Sequence, residues 1–169
     1  PEIKGFRLSA SSAKIYRKKR DDISLIEITD GSVTSSAFTQ NRFCAAPVQI
    51  SKNHLGKSKP RYCLINAGNA NAGTGEDGLS NSKAICRELA KITNCNENEI
   101  LPFSTGVIGE DLPVEKINKV LPQLVKNLSE DCWVNVAKSI MTTDTIPKAV
   151  SSQISIANST VSITGIAKG

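Results

Sequence analysis

Aromatic residues, histidine and long apolar runs are all scarce in this sequence. Aromatic side chains make up only 4% of the residues, so small aliphatic side chains must fill most of the core. No apolar run approaches the length needed to cross a bilayer, and the first residues, PEIK, do not begin a signal peptide. We therefore expect a soluble, non-secreted protein, with residues 1–169 forming a single domain.

Metal and thiol sites are also disfavoured. The five cysteines are odd in number and widely spaced, without a CxxC pair, and the only histidine, His54, lies in the polar stretch SKNHLGKSK, which we expect to be a loop. This pattern predicts reduced thiols in a cytosol-like compartment, no metal site and no catalytic Cys–His pair. A GxxxxGK[ST] loop is missing as well, which disfavours ATP chemistry.

The net charge is +5 and the pI is about 9.0, a balance that would suit an anionic partner. Basic residues are scattered except in RKKR at 17–20, which Asp21 and Asp22 follow directly. Because aromatic stacking platforms are scarce, we expect this cluster to be a solvated turn and not a nucleic-acid patch. An anionic small molecule remains a candidate ligand.

The residue pattern of the first third of the chain predicts a β-sheet. Asp30-Gly31 is typical of a hairpin turn, and Pro47 favours a strand edge or a strand start. The polar segment 51–60 is expected to be a loop. Alternation and short apolar runs predict strands at 6–13, 23–28, 33–38, 45–50 and 62–65.

Helical spacing dominates the middle of the chain. Apolar residues predict helices over 79–93, 113–128 and about 129–140, and Pro113 suits the first turn of the second helix. The segment 148–166 alternates and predicts a hairpin that turns at 157–159. The chain stops at Gly169 without a terminating pattern, so we expect a fragment of a longer protein.

A strand predicted at 100–103 leads into Ser104-Thr105-Gly106. A threonine hydroxyl beside a glycine N–H can aim two donors at one point, as the oxyanion of acyl transfer requires. A plain turn between strand and helix, with glycine at positive φ, explains the same residues.

Two further stretches have two interpretations each. The segment NAGNANAGTGEDGL at 66–79 is either a flexible surface loop or a tightly folded turn whose amides brace an active site against the next helix. Thr142, Thr143 and Asp144 place hydroxyls around one carboxylate, either to cap the backbone or to serve a site.

Five ordered motifs carry a resemblance that spans nearly the whole chain. They are FTQNRFCAAPV at 38–48, INAGNANAGTGEDG at 65–78, STGVIGE at 104–110, MTTDTIPK at 141–148 and GIAKG at 165–169. With them the sequence resembles the α subunit of ornithine acetyltransferase, also called glutamate N-acetyltransferase, of the arginine biosynthesis bifunctional protein family. The resemblance implies an α/β fold of layered sheets and helices, similar to that of N-terminal-nucleophile hydrolases.

That family makes a precursor that cuts itself before a threonine, and the α and β chains stay together. The resemblance implies an α2β2 heterotetramer whose nucleophilic threonine lies shortly after Gly169, at the start of β. The freed threonine amine can act as base for its own hydroxyl, so no histidine is needed. The implied reaction is a ping-pong transfer of an acetyl group from N-acetylornithine to glutamate, with release of ornithine, and this chain alone would be inactive.

Residue roles also follow from the resemblance. It implies that Thr105 and Gly106 form the oxyanion hole and that Thr142 and Lys168 bind substrate, with Thr143 and Asp144 as weaker candidates. It implies no metal and no cofactor, and leaves open whether acetyl-CoA is a second acetyl donor. We expect neither nucleic acid nor membrane as partner, and a location in the cytoplasm, or in the mitochondrial matrix of a eukaryote.

Two other functions remain open. A related self-cleaving aminopeptidase would share the cleavage step but use water as acceptor, and a non-catalytic module would bind an anionic metabolite at its Asn/Gly loop. The motifs at 66–78 and 141–148 favour the acetyltransferase. A threonine shortly beyond Gly169, preceded by a small residue, would favour self-cleavage over the binding module.

Overall fold

The computed structural model describes residues 3–168, which form a four-stranded sheet, four helices and a separate two-stranded ribbon. Gly169, the last residue of the GIAKG motif, lies outside the described residues. In chain order the elements are β1 (Phe6–Ser11), β2 (Ile23–Ile28), α1 (Ala46–Leu55), β3 (Tyr62–Asn69), α2 (Gly75–Thr93), β4 (Ile100–Val107), α3 (Val114–Lys126), α4 (Trp133–Ser139), β5 (Lys148–Ile156) and β6 (Ser159–Ala167).

The four-stranded sheet has the order β1-β2-β3-β4. The first two pairings are antiparallel, whereas β3 and β4 are parallel and are joined by a crossover that contains α2. In that parallel pair Tyr62 lies opposite Ile100 and Gly68 opposite Gly106. The carboxyl ends of β3 and β4 therefore meet at one edge, which brings together two motifs that are far apart in sequence.

Side chains alternate between the two faces of the sheet, as the period of a strand requires. On β2, Leu25 belongs to the core beneath α2 and α3, while Ile26 packs into a smaller cluster with α4. Each large aliphatic side chain buried in these cores is worth about 1.5–3 kcal/mol. The largest fully buried members of the main core are Ile23, Leu25, Leu64, Leu89, Ile100, Ile117, Leu121 and Leu124.

The segment 45–50, predicted as a strand, begins a helix instead. Ala46, Ile50 and His54 are buried at a spacing of four, and Pro47 occupies the first turn, where proline is tolerated. His54, expected in a polar loop, is only 3% exposed, and its Nδ1 bonds the Ile100 carbonyl oxygen at 2.8 Å. The helical period runs through the polar stretch 51–55, whose composition concealed it.

The strand predicted at 33–38 does not form. The turn at Asp30-Gly31 is present, but Val33 beyond it is 97% exposed. The physical reason is that β2 already has β1 on one edge and β3 on the other, so no edge is free for a further hairpin partner.

The remaining predicted strands and helices are confirmed, with shifted ends. The parallel pairing extends β3 to Asn69 and β4 to Val107, so Ser104-Thr105-Gly106 is the end of a strand and not a turn. Helix α2 starts at Gly75, four residues before the predicted 79, and α4 starts only at Trp133.

The ribbon of β5 and β6 has one apolar and one polar face. Its predicted turn is confirmed at Ala157-Asn158. The polar face carries mainly serine, threonine and glutamine, together with Ile166, which packs against the cluster around Leu8. The other face, called here the apolar ribbon face, is exposed and consists of Val150, Ile154, Ile156, Val161 and Ile163.

Within residues 3–168, no helix combines the length and the apolar character that a membrane crossing demands.

Candidate functional site

The candidate site lies where the carboxyl ends of β3 and β4 meet. Thr105 is half-buried near the end of β4, and Gly106 beside it is exposed. Gly106 has a φ of +137°, and a Cβ added there would lie 2.3 Å from the carbonyl carbon of Gly68. The two backbones are therefore in direct contact at the residue that follows Thr105.

Two buried asparagines of β3 hold this edge. Asn66 accepts a hydrogen bond from the Asn69 N–H at 3.1 Å, and its Nδ2 donates to Ser104 Oγ at 2.7 Å. Asn69 Nδ2 donates to the carbonyl oxygens of Glu110 and Asp111, both at 3.0 Å. The amides thereby join β3 to the last residues of β4 and to the turn that follows.

Asn71 connects the same edge to α2. It is fully buried, and its Nδ2 donates to the Gly78 carbonyl at 2.9 Å and to Ser82 Oγ at 2.8 Å. Its Oδ1 accepts from Thr74 Oγ1 at 2.9 Å. The Asn/Gly segment thus runs from the end of β3 through a tightly bonded turn into α2, and it is not a loose surface loop.

Asp22 organises the loop 12–22, which covers β3 on the other side. Its buried carboxylate accepts from the N–H groups of Ala13 at 2.7 Å, Ile15 at 2.6 Å and Tyr16 at 2.7 Å. This loop presses on Gly68, since a Cβ there would lie 2.6 Å from Ile15 Cγ2. Asp22, which follows the basic cluster in sequence, is therefore not a solvated acid, because three backbone donors occupy its carboxylate.

Arg20 and Tyr16 extend from this loop to the segment at 141–144. The Arg20 guanidinium lies 3.9 Å from the Tyr16 ring centroid and donates to the Met141 carbonyl oxygen. Tyr16 donates its hydroxyl to the Thr142 carbonyl oxygen at 2.8 Å. The prediction of a solvated turn is therefore wrong for Arg20. The contacts of Tyr16 and Arg20 with residues 141–142 were missed because no sequence period relates this loop to that segment.

Thr142, Thr143 and Asp144 form a compact turn. The Thr142 N–H donates to Asp144 Oδ2 at 3.2 Å, and the other carboxylate oxygen pairs with the Lys148 ammonium. The Asp144 side chain is 1% exposed, whereas Thr143 is exposed. Asp144 thus orders the backbone of this turn.

Lys168 lies at the base of the ribbon. It follows Ala167, which pairs with Lys148, and it is exposed. The structure connects Gly106, Gly68, Tyr16 and Thr142 by successive contacts. Lys168 lies next to the pair of Ala167 and Lys148, whose ammonium pairs with Asp144 in the turn of Thr142.

Two of the five cysteines, Cys63 and Cys86, have strongly raised pKa values. Burial raises the pKa of Cys63 to about 12, and burial together with the nearby Glu97 raises that of Cys86 to about 12. Both thiols stay protonated near neutrality and are poor nucleophiles. Between residues 3 and 168, no three His, Cys, Asp or Glu side chains cluster as metal ligands.

Sequence comparison relates almost the entire chain to known proteins. The profile of the ArgJ family matches residues 7–169. The arginine biosynthesis bifunctional protein ArgJ of Methylococcus capsulatus is 48% identical over 167 residues, and that of Psychrobacter arcticus is 47% identical. Each alignment covers 99% of this chain but 41% of the relative, so the chain spans about two fifths of these proteins.

Two solved structures share the fold. The arginine biosynthesis bifunctional protein ArgJ of Bacillus halodurans superposes with a TM-score of 0.90 at 30% identity, covering 98% of this chain and 87% of that one. Ornithine acetyltransferase of Mycobacterium tuberculosis, in complex with ornithine, gives 0.88 at 27% identity, with 98% and 89% covered. The expected α/β fold, similar to that of N-terminal-nucleophile hydrolases, is confirmed, and the chain belongs to the ArgJ family.

Proposed function

We propose that this chain is the α part of an acetyltransferase of arginine biosynthesis, which moves an acetyl group from N-acetylornithine to glutamate. The observation that carries the proposal is the contact of Gly106 with Gly68 at the end of β4, where the half-buried Thr105 directly precedes the exposed Gly106. Membership of the ArgJ family supports it, as does the structural match to a protein named ornithine acetyltransferase and solved with ornithine.

The proposed chemistry has two half-reactions. A threonine hydroxyl at the start of the β chain attacks the acetyl carbonyl and passes its proton to the freed threonine amine. The tetrahedral intermediate collapses, the protonated amine of ornithine leaves, and an acetyl-threonine ester remains. The glutamate amine then attacks the ester, and N-acetylglutamate departs while the threonine regains its proton.

Thr105 and Gly106 serve both half-reactions in the same way. Each tetrahedral intermediate carries an oxyanion, which the Thr105 hydroxyl and the Gly106 N–H stabilise as hydrogen-bond donors. The close backbone contact and the asparagine hydrogen bonds hold these donors in place before substrate arrives. No metal and no cofactor is required, and acetyl-CoA is a candidate second acetyl donor.

Thr142 and Lys168 are the proposed substrate-binding residues. Both substrates carry an α-carboxylate, and an exposed lysine ammonium with a threonine hydroxyl can hold one. Thr143, which is exposed, can assist, whereas Asp144 orders the turn through Lys148. Lys168→Ala should mainly raise KM for N-acetylornithine, and a KM equal to that of the wild type would remove Lys168 from the site.

A β chain is the proposed occupant of the apolar ribbon face. Five exposed apolar side chains on an isolated two-stranded ribbon would leave it marginally stable. The relatives of this chain are more than twice as long, so a further segment of the same protein is available to cover this face. We place residues 1–169 as one domain, paired with β in a cytoplasmic α2β2 assembly, or in the mitochondrial matrix of a eukaryote.

Neighbouring residues on opposite ribbon faces test this pairing. Ile154→Asp puts a charge into the apolar ribbon face, whereas Ser155→Asp places the same charge on the other face of the same strand. For the protein from its complete gene, native mass spectrometry should show separated chains, or thermal unfolding a clearly lower Tm, for Ile154→Asp alone. Equal effects of the two substitutions would reject the apolar ribbon face as the contact.

The function itself is tested on the same complete protein. Denaturing intact mass and N-terminal sequencing should reveal a second chain that begins with threonine. Without glutamate, N-acetylornithine should yield one equivalent of ornithine per site, and sustained ornithine release should require glutamate. Processing without ornithine release but with peptidase activity would favour the related aminopeptidase. A single uncut polypeptide without activity would favour a binding module for an anionic metabolite.

A further inference from the structure

A strongly basic cleft of about 970 Å³ lies between the loop 12–22 and the start of α3. Six cationic side chains line it: Lys14, Arg17, Lys18, Lys19, Arg20 and Lys116. The rest of its lining includes the apolar Ile15, the aromatic Tyr16 and a single acid, Asp21.

The acids that follow this cluster in sequence do not neutralise it. Asp22 is fully buried, and its carboxylate is occupied by the backbone N–H groups of Ala13, Ile15 and Tyr16. Only Asp21 reaches the cleft. The structure therefore leaves a concentrated positive potential here, which the sequence alone did not indicate.

The cleft is held in shape from both sides. Lys116 on α3 donates to the Lys14 carbonyl oxygen at 3.2 Å, which ties the helix to the loop. Arg20 stacks on the Tyr16 ring and donates to the Met141 carbonyl oxygen. Arg17, Lys18 and Lys19 remain exposed at the mouth of the cleft.

We propose that this basic cleft binds the polyphosphate group of a small organic molecule. Its volume lies in the range of small-molecule sites, and several converging cations match a group with several negative charges better than a single carboxylate. A nucleic acid is disfavoured because the cleft offers one aromatic ring, Tyr16, whose face Arg20 already covers.

This cleft is separate from the proposed oxyanion donors, but a chain of contacts connects the two. Tyr16 lines the cleft, and its backbone N–H lies beside Gly68, which contacts Gly106. The inference goes beyond the proposed function and does not depend on it, because polyphosphate binding is measured without any acetyl transfer.

The experiment is calorimetric titration of the complete protein with pyrophosphate and with ADP. Arg17→Glu/Lys18→Glu removes two exposed cations from the mouth of the cleft, and Lys83→Glu/Arg87→Glu makes the same charge change on the outer side of α2. We expect binding to weaken at least about tenfold in the first double variant and to stay within about twofold of wild type in the second. The single substitution Lys19→Glu is a milder second variant, expected to weaken binding in the same direction.

Acetyl-CoA, which carries a pyrophosphate, distinguishes two sources of the ligand. Competition between acetyl-CoA and ADP would identify the phosphate end of a thioester co-substrate, whereas ADP binding without competition would identify a free polyphosphate; either result supports the site. Equal weakening by the two double variants would overturn it. So would wild-type protein that takes up neither pyrophosphate nor ADP, or that binds only nucleic acid at this cleft.

Discussion

Gly106 on β4 lies directly against Gly68 on β3, so close that a Cβ on Gly106 would come within 2.3 Å of the Gly68 carbonyl carbon. The two glycines are paired in the parallel ladder immediately before its register shifts at Asn69. Because Gly106 directly follows Thr105, a side-chain atom added at Gly106 would force the strands apart beside that threonine.

Gly106→Ala should strongly destabilise the complete protein, because backbone atoms would have to move apart and φ is +137°. We expect a loss of about 2 kcal/mol or more in the free energy of unfolding. Gly109→Ala is the control: φ is +78° there too, but a Cβ would meet nothing within 4 Å, so only backbone strain of about 1–2 kcal/mol applies. Equal losses in denaturant unfolding would mean that the contact with Gly68 can relax.

Thr105→Ala should keep the fold and lower kcat by about a hundredfold to a thousandfold, the usual effect of losing one oxyanion donor. Thr105→Ser retains the hydroxyl and should preserve most of the turnover. Steady-state release of ornithine by the complete protein measures both. Unchanged turnover in Thr105→Ala would reject the oxyanion role.

Asn71→Ala should destabilise the edge between β3 and α2. Its side chain is fully buried and bonds Gly78, Ser82 and Thr74, so its removal leaves buried polar groups unsatisfied at about 1–3 kcal/mol each. Asn53→Ala, on the exposed side of α1, should change stability by less than about 0.5 kcal/mol. Thermal unfolding compares the two, and a similar Tm for both variants would contradict the bracing role.

Cys63 should resist alkylation in the native protein. Burial raises its pKa to about 12, so at pH 8 its thiolate fraction is roughly three orders of magnitude below that of an ordinary thiol. Peptide mapping after iodoacetamide treatment should find Cys63 unlabelled in native buffer and labelled in denaturant. Rapid native labelling would show that the thiol is accessible and ionised.

Tyr62 should make stability fall at high pH. Burial, and then the hydrogen bond that its hydroxyl donates to Glu27, raise its pKa to about 12 in the folded protein. Because the unfolded pKa is near 10, the stabilisation is complete below about pH 10 and is lost as pH rises toward 12. Unfolding free energies of wild type and Tyr62→Phe should converge across that interval, and parallel pH profiles would exclude Tyr62 as the titrating group.

Local pattern accounts for the elements that the sequence predicted well. The apolar period of α3, the alternation of β5 and β6 and the turn at Ala157-Asn158 depend on residues close together in sequence, and all are confirmed. The candidate residues Thr105, Gly106, Thr142 and Lys168 came from ordered motifs, which a linear sequence displays directly.

Two kinds of cause explain where prediction and structure differ. The strand expected at 33–38 fails because β2 has no free edge, and Arg20 is not a solvated turn residue because it bonds the Met141 carbonyl oxygen. Both outcomes depend on parts of the chain that are distant in sequence. Helix α1 was missed for a local reason, since its period crosses a change in composition near Ser51.

The sequence by itself determined the periodic helices and strands, the α/β class and the motifs that identify the ArgJ family, because these properties are local or are compared position by position. Only the tertiary structure decided that the Asn/Gly segment and Ser104-Thr105-Gly106 meet, that Tyr16 and Arg20 reach Met141 and Thr142, and that the basic cluster escapes neutralisation. Some of these contacts join residues more than a hundred positions apart in sequence. They form because the chain folds back on itself, through the parallel pairing of β3 with β4 and through the burial of the Asp22 carboxylate.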